Sequence, residues 1–89
     1  MNYRIWKYTL EITDHQKVPM PQCAKILSVA NQNGHPCLWA MVDADRPIEQ
    51  RAIEIIGTGN PVAQVGVDER KFIGTVVIHP FVWHVFERV

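Results

Sequence analysis

The stretch Ala24–Asp43, AKILSVANQNGHPCLWAMVD, decides the fold. At its centre, Asn33-Gly34 is the preferred pair for a two-residue type I′ hairpin turn. Both positions of that turn need positive φ, which asparagine and glycine tolerate best. Folding the chain about this pair sets Gln32 opposite His35, Ala30 opposite Cys37, Ser28 opposite Trp39 and Ile26 opposite Met41. On the other face Val29 meets Leu38 and Leu27 meets Ala40. Both faces are apolar, which predicts a hairpin inside the sheet and covered on both sides. Pro36, opposite Asn31, has no N–H, so one ladder bond near the turn is expected to be missing.

Outward from the hairpin, the hydrophobic period stays at two. Over residues 3–13, Trp6, Tyr8, Leu10 and Ile12 share one face while Lys7, Thr9 and Glu11 share the other, the pattern of a half-buried strand. Residues 14–22 hold Pro19 and Pro21 and read as a connection with a short extended piece. The polar turn DADRP (43–47) leads into a fourth strand over Gln50–Ile56, although Pro47 followed by IEQRA could open a helical turn instead. VAQVGVDER (62–70) reads as a loop. Lys71–His79 is a fifth strand, with Gly74 marking a bulge or a close backbone approach. After His79-Pro80 comes a sixth strand, Phe81–Val89, with Phe81, Trp83 and Val85 on one face and Val82, His84 and Phe86 on the other. About six short strands separated by turns predict a single all-β domain over residues 1–89. The expected architecture is an antiparallel sandwich or small open barrel, with the 24–43 hairpin at its centre.

A chain of 89 residues has a thin core that assembly into a homo-oligomer would reinforce. Nine basic residues balance nine acidic ones, and that neutrality argues against general nucleic-acid binding. A small anionic ligand stays within reach, since a few local cations suffice for it. The N-terminal residues MNYRIWKYTLEIT alternate polar and apolar character, unlike the apolar core of a signal peptide. No run approaches the roughly 20 apolar residues of a membrane-spanning helix, so a cytoplasmic protein is expected. In that reducing compartment Cys23 and Cys37 are expected to be free thiols.

The segment that bears most on function is GTGNP (57–61). Two glycines around a hydroxyl residue let backbone N–H groups converge on an anionic oxygen. A phosphate loop would also need a helix opening directly afterwards, and here Pro61 follows and no Gly-Lys-Ser/Thr is present. The favoured reading is a strand-ending turn; the other is a contact in which Gly57, Thr58, Gly59 and Asn60 donate to a phosphate. Trp39 and Trp83 are either core fillers or platforms on which a planar ligand stacks. Arg51 or Arg70, with Arg46 as a further candidate, could meet its charge. Arg51 lies roughly 20 Å along the fourth strand from the turn, so the two could share a ligand only across a subunit interface.

His15, His35, His79 and His84 show no zinc spacing, and no metal or cofactor is implied. His84, between Val82 and Phe86, reads as a hydrogen-bonded, partly buried histidine. Asp43 and Asp45 flank a turn, where aspartates usually bond their own backbone, and Glu54 stands alone on a strand. Ser28 has no elbow motif, and no nucleophile–base–orienter set is visible, so a catalytic site is not expected.

KYTLEITDHQKVPMP (7–21), AKILSVANQNGHPCLWAMVD, IGTGNP (56–61), FIGTVV (72–77) and FVWHVFE (81–87), in this order, resemble a family of small proteins of unknown function from tailed phages and prophages. Cys23 departs from it, standing where such proteins tend to have glycine. The family transfers no catalytic residue. The resemblance does imply a role in binding, such as sequestering a nucleotide-derived signal of bacterial anti-phage defence. The alternative is a module that docks another protein through a β edge or an apolar patch.

Overall fold

The computed structural model describes residues 1–62 and 69–89. The hairpin forms about Asn33 (φ 54°) and Gly34 (φ 84°), and Asn31 Oδ1 accepts from the Gly34 N–H at 2.9 Å. It joins β3 (Lys25–Gln32) to β4 (His35–Asp43). Their register is as expected from Gln32–His35 through to Ser28–Trp39, and then it shifts. Leu27 is an extra residue, so Ile26 pairs with Ala40 rather than Met41. The reason lies in the pleat: one inserted residue turns Ile26 onto the inner face, where it packs against the core, and leaves Leu27 at the surface.

Seven strands form two antiparallel sheets. The first has the order β1 (Tyr3–Thr9), β4, β3. The second has the order β2 (His15–Pro21), β5 (Ile48–Gly57), β7 (Phe81–Arg88), β6 (Arg70–Ile78). They pack face to face as a sandwich, not as a closed barrel, with β3 lying over β6. The core between them comes from alternate residues: Leu38, Ala40 and Val42 of β4, Val18 and Met20 of β2, Ile53 and Ile55 of β5, Val76 of β6 and Val85 of β7. Leu10 and Ala24 seal it from the connections. Of the apolar face assigned to residues 3–13, Leu10 is buried whereas Ile12 lies past the end of β1 and is exposed.

Two expectations are corrected. The hairpin is not covered on both sides: β3 is an edge strand, and Met41, facing away from the core, is 42 % exposed. Two layers leave each sheet one face to solvent, so apolar residues on that face do not imply a cover. Residues 14–22 are not merely a connection but contain the strand β2. The Gln22 N–H bonds Pro47 O in register with the β2–β5 pairs, so even-numbered residues of β2 face β5. Pro19 and Pro21 therefore place their missing donors on the free edge, where proline is tolerated. The strand expected over Gln50–Ile56 forms as β5, extended from Ile48, and the helical alternative after Pro47 is not taken. Residues 63–68 of the expected loop lie outside the described residues.

Both readings of Gly74 hold. The β6–β7 register shifts between Phe72 and Gly74, and a Cβ at Gly74 would lie 2.9 Å from Val29 Cγ1 on the facing sheet. Val29 is β-branched and stiff at χ1, so it yields little. Gly74→Ala is expected to cost about 1–3 kcal/mol by overpacking. Adding Val29→Ala should recover part of that loss, which chemical denaturation of the two single variants and the double variant would measure. Cys23 has a φ of 64°, in the region that favours glycine. Cys23→Gly should raise stability by up to about 1 kcal/mol by relieving left-handed strain, read as a higher melting temperature.

Candidate functional site

At the end of β5 the Thr58 N–H bonds Val82 O at 3.1 Å, extending the β5–β7 ladder by one residue. The Asn60 N–H then closes on Gly57 O at 3.0 Å, with Gly59 at φ 88° in the third position. That is the signature of a type II turn, which needs positive φ there. Two amides of GTGN are thus already engaged, that of Thr58 in the ladder and that of Asn60 in the turn. The first residue of the turn is closely packed. Gly57 pairs with Trp83, and a Cβ on it would lie 2.7 Å from Asn60 Nδ2 and 3.0 Å from the Trp83 ring. The indole covers the space where a side chain would stand.

Next to this pair the β6–β7 turn brings in Pro80 and Phe81. The Phe81 ring, 60 % exposed, lies 5.7 Å from the Trp83 ring at 43°. Gly57, Thr58, Asn60, Pro80, Phe81, Val82 and Trp83 line a pocket of about 380 Å³. It has aromatic walls and one polar rim. Behind the rim His84 is held between two hydroxyls, Thr58 Oγ1 at 2.7 Å from Nε2 and Thr75 Oγ1 at 3.1 Å from Nδ1. This is the hydrogen-bonded, partly buried histidine that the sequence predicts. Both ring nitrogens are thus engaged by threonine hydroxyls.

Of the eight residues marked in the sequence, the structure brings Gly57, Thr58, Gly59, Asn60 and Trp83 to one place. The other three lie elsewhere. Trp39 sits half-buried on the outer face of β4, between Lys7 and Ser28 on the neighbouring strands. Arg51, near the opposite end of β5, forms a two-pronged pair with Glu87 through Nε and Nη2 and also donates to Ala24 O at 2.8 Å. Arg70 donates through Nε to Glu54 Oε1 at 2.6 Å and lies 6.0 Å from the Phe86 ring centre. Phe81 and Pro80 were not marked as site residues. The β5–β7 register, which makes Trp83 the neighbour of Gly57, is the signal that finds them.

Glu54, solitary in the sequence, is the buried anchor of an ion cluster. Its carboxylate accepts from Arg70 and from Arg88 Nη1 at 3.2 Å, with His15 Nδ1 at 3.6 Å. The Arg70 bond, aided by Arg88, holds the Glu54 carboxyl below its ordinary value against the opposing effect of burial. Asp43 is held low as well, first by the backbone N–H groups of Asn2 and Asp45. Because the folded carboxyls are depressed, protons bind more tightly to the unfolded chain. The stability they contribute is complete above the unfolded carboxylate value and is lost as pH falls through the folded one. Melting temperature should therefore drop in acid, and Glu54→Gln should flatten that drop while lowering stability at neutral pH.

No curated protein and no solved structure matches the chain. A family model described as "Domain of unknown function (DUF7352)" matches residues 1–89. The chain belongs to this family.

Proposed function

We propose that the protein binds a small nucleotide-derived ligand and holds it without chemical change. Its planar base would rest against Phe81 and Trp83, with its polar edge toward the GTGN turn. The observation that carries this reading is the exposed Phe81 ring beside Trp83 at the mouth of a pocket with a polar rim. A base covering such a ring gains about 1–3 kcal/mol from stacking. The Asn60 side chain, which both donates and accepts, suits the mixed edge of a base. The pocket volume lies at the small end of the range for ligand sites. Arg51 and Arg70 are engaged with carboxylates away from the turn, so the phosphate of such a ligand would point to solvent or toward a second subunit. Together with the likeness to phage and prophage proteins, this suggests a cytoplasmic sponge for an anti-phage immune signal.

A different reading, a protein-docking module, is favoured by the exposed apolar side chains of β1, Tyr3 and Ile5.

A panel of cyclic mononucleotides, cyclic dinucleotides and ADP-ribose separates the two. At least one member should raise the melting temperature and be recovered intact after denaturation. Phe81→Ala should leave the unliganded melting temperature near that of the wild type, since the ring is largely exposed, while weakening binding by about tenfold to a hundredfold. No shift with any member, or unchanged binding by Phe81→Ala, would overturn the proposal. A ligand recovered in cleaved form would make the protein an enzyme.

A further inference from the structure

The geometry points to β1 as the interface of a two-fold homodimer, formed by antiparallel pairing of β1 with β1 of a second copy. A sandwich of two open sheets has four edge strands, here β1, β2, β3 and β6. An unpaired edge offers N–H and C=O groups to any incoming strand unless something blocks it. The free edge of β2 carries Pro19 and Pro21. The edges of β3 and β6 are each interrupted by a register shift and are tied together: Asn31 Nδ2 donates to Val77 O at 3.1 Å, and Val29 closes on Gly74.

Only β1, among the described residues, has none of these protections. The Ala44 N–H bonds Asn2 O and the Leu10 N–H bonds Pro36 O, both in register with the β1–β4 pairs. Even-numbered residues of β1 therefore face β4, and Tyr3, Ile5, Lys7 and Thr9 direct their backbone groups to the open edge. None of the four is proline, and the β1–β4 register is unbroken. The side chains are also uncovered: Tyr3 is 63 % exposed, Ile5 60 % and Trp6 37 %.

The occupant is a second copy because the strand is complementary to itself. Residues opposite one another in an antiparallel pair point to the same face. About a two-fold axis, odd positions of β1 therefore meet odd positions and even positions meet even ones. Arg4 and Lys7, the two charges of the strand, can never face each other. A register centred on Trp6 uses all four free residues, pairing Tyr3 with Thr9 and Ile5 with Lys7. It also sets Trp6 against Trp6, and Arg4 against Tyr8 of the second copy, a cation beside an aromatic ring. The Tyr8 hydroxyl is buried with no hydrogen-bond partner among the described residues, and a guanidinium opposite it would supply donors. The protomer's shape is compatible with such growth. Its radius of gyration is 13.2 Å, against about 12 Å for a compact chain of this length, and its thinnest extent is 16 Å. The dimer would carry one continuous sheet in the order β3-β4-β1-β1-β4-β3. The inference does not depend on the ligand pocket.

Sedimentation equilibrium of the purified chain should show a monomer–dimer equilibrium. Ile5→Pro removes only an edge-facing donor, as Pro19 and Pro21 do in β2, and should weaken dimerisation at least tenfold with the circular dichroism spectrum retained. If that variant fails to fold, amide exchange of the wild type decides the matter. The amides of Ile5 and Lys7 should be protected in concentrated protein and exchange quickly on dilution, while those of Trp6 and Tyr8 stay protected at both concentrations. A chain that is monomeric at every concentration, a dimer untouched by Ile5→Pro, or concentration-independent exchange at Ile5 and Lys7 would overturn the inference. So would a different protein occupying the β1 edge of an otherwise monomeric chain.

Discussion

Everything in this protein depends on one apolar layer shared by two sheets. Leu38, Ala40 and Val42 are buried from one side, and Ile53, Ile55 and Val85 from the other, with Val18, Met20 and Val76 filling the margins. Each of these side chains larger than alanine contributes on the order of 1.5–3 kcal/mol when fully buried. A chain this short has no second layer to fall back on. The local irregularities are understood as service to that layer: the Leu27 bulge keeps Ile26 in it, and Gly74 lets β3 and β6 approach closely over it.

The same constraint sorts the polar groups. Charges cannot enter the shared layer without partners, so they gather at its ends and on the outer face of the larger sheet. Arg51 and Glu87 close one end of that sheet, and Glu54 is held by Arg70 and Arg88 on its outer face. The candidate pocket lies at the other end of β5, and none of these cations lines it. That separation is why the pocket is aromatic and polar rather than basic. In the reading we propose, stacking rather than phosphate capture supplies most of the affinity.

Legibility in the sequence followed the range of the interactions involved. The Asn33-Gly34 turn, the cross-strand pairs nearest to it, the bulge at Gly74 and the strand-ending character of GTGN are local, and all could be read directly. β2 was harder because Pro19 and Pro21 argue against a strand until one knows that it lies at an edge. The covering of the hairpin is not legible in the sequence, because alternation reports which residues share a face, not what stands over it. Glu54 looked solitary because its partners come from β6 and β7, at least 16 residues away in the chain. Phe81 joined the site only through the β5–β7 register.

The sequence by itself determined the all-β class, the hairpin and its turn, the positions that need glycine, and the absence of a phosphate-loop motif. These rest on backbone sterics and period-two patterning within a few residues. Tertiary structure alone decided the division into sheets of three and four strands, the ion cluster around Glu54, and the exposure of β1 as an open edge. It also decided that Trp83 lies over Gly57 while Trp39 does not share its pocket. Such outcomes depend on which strands become neighbours. That choice is made by the burial of the whole apolar layer at once, and no local stretch of the chain contains it.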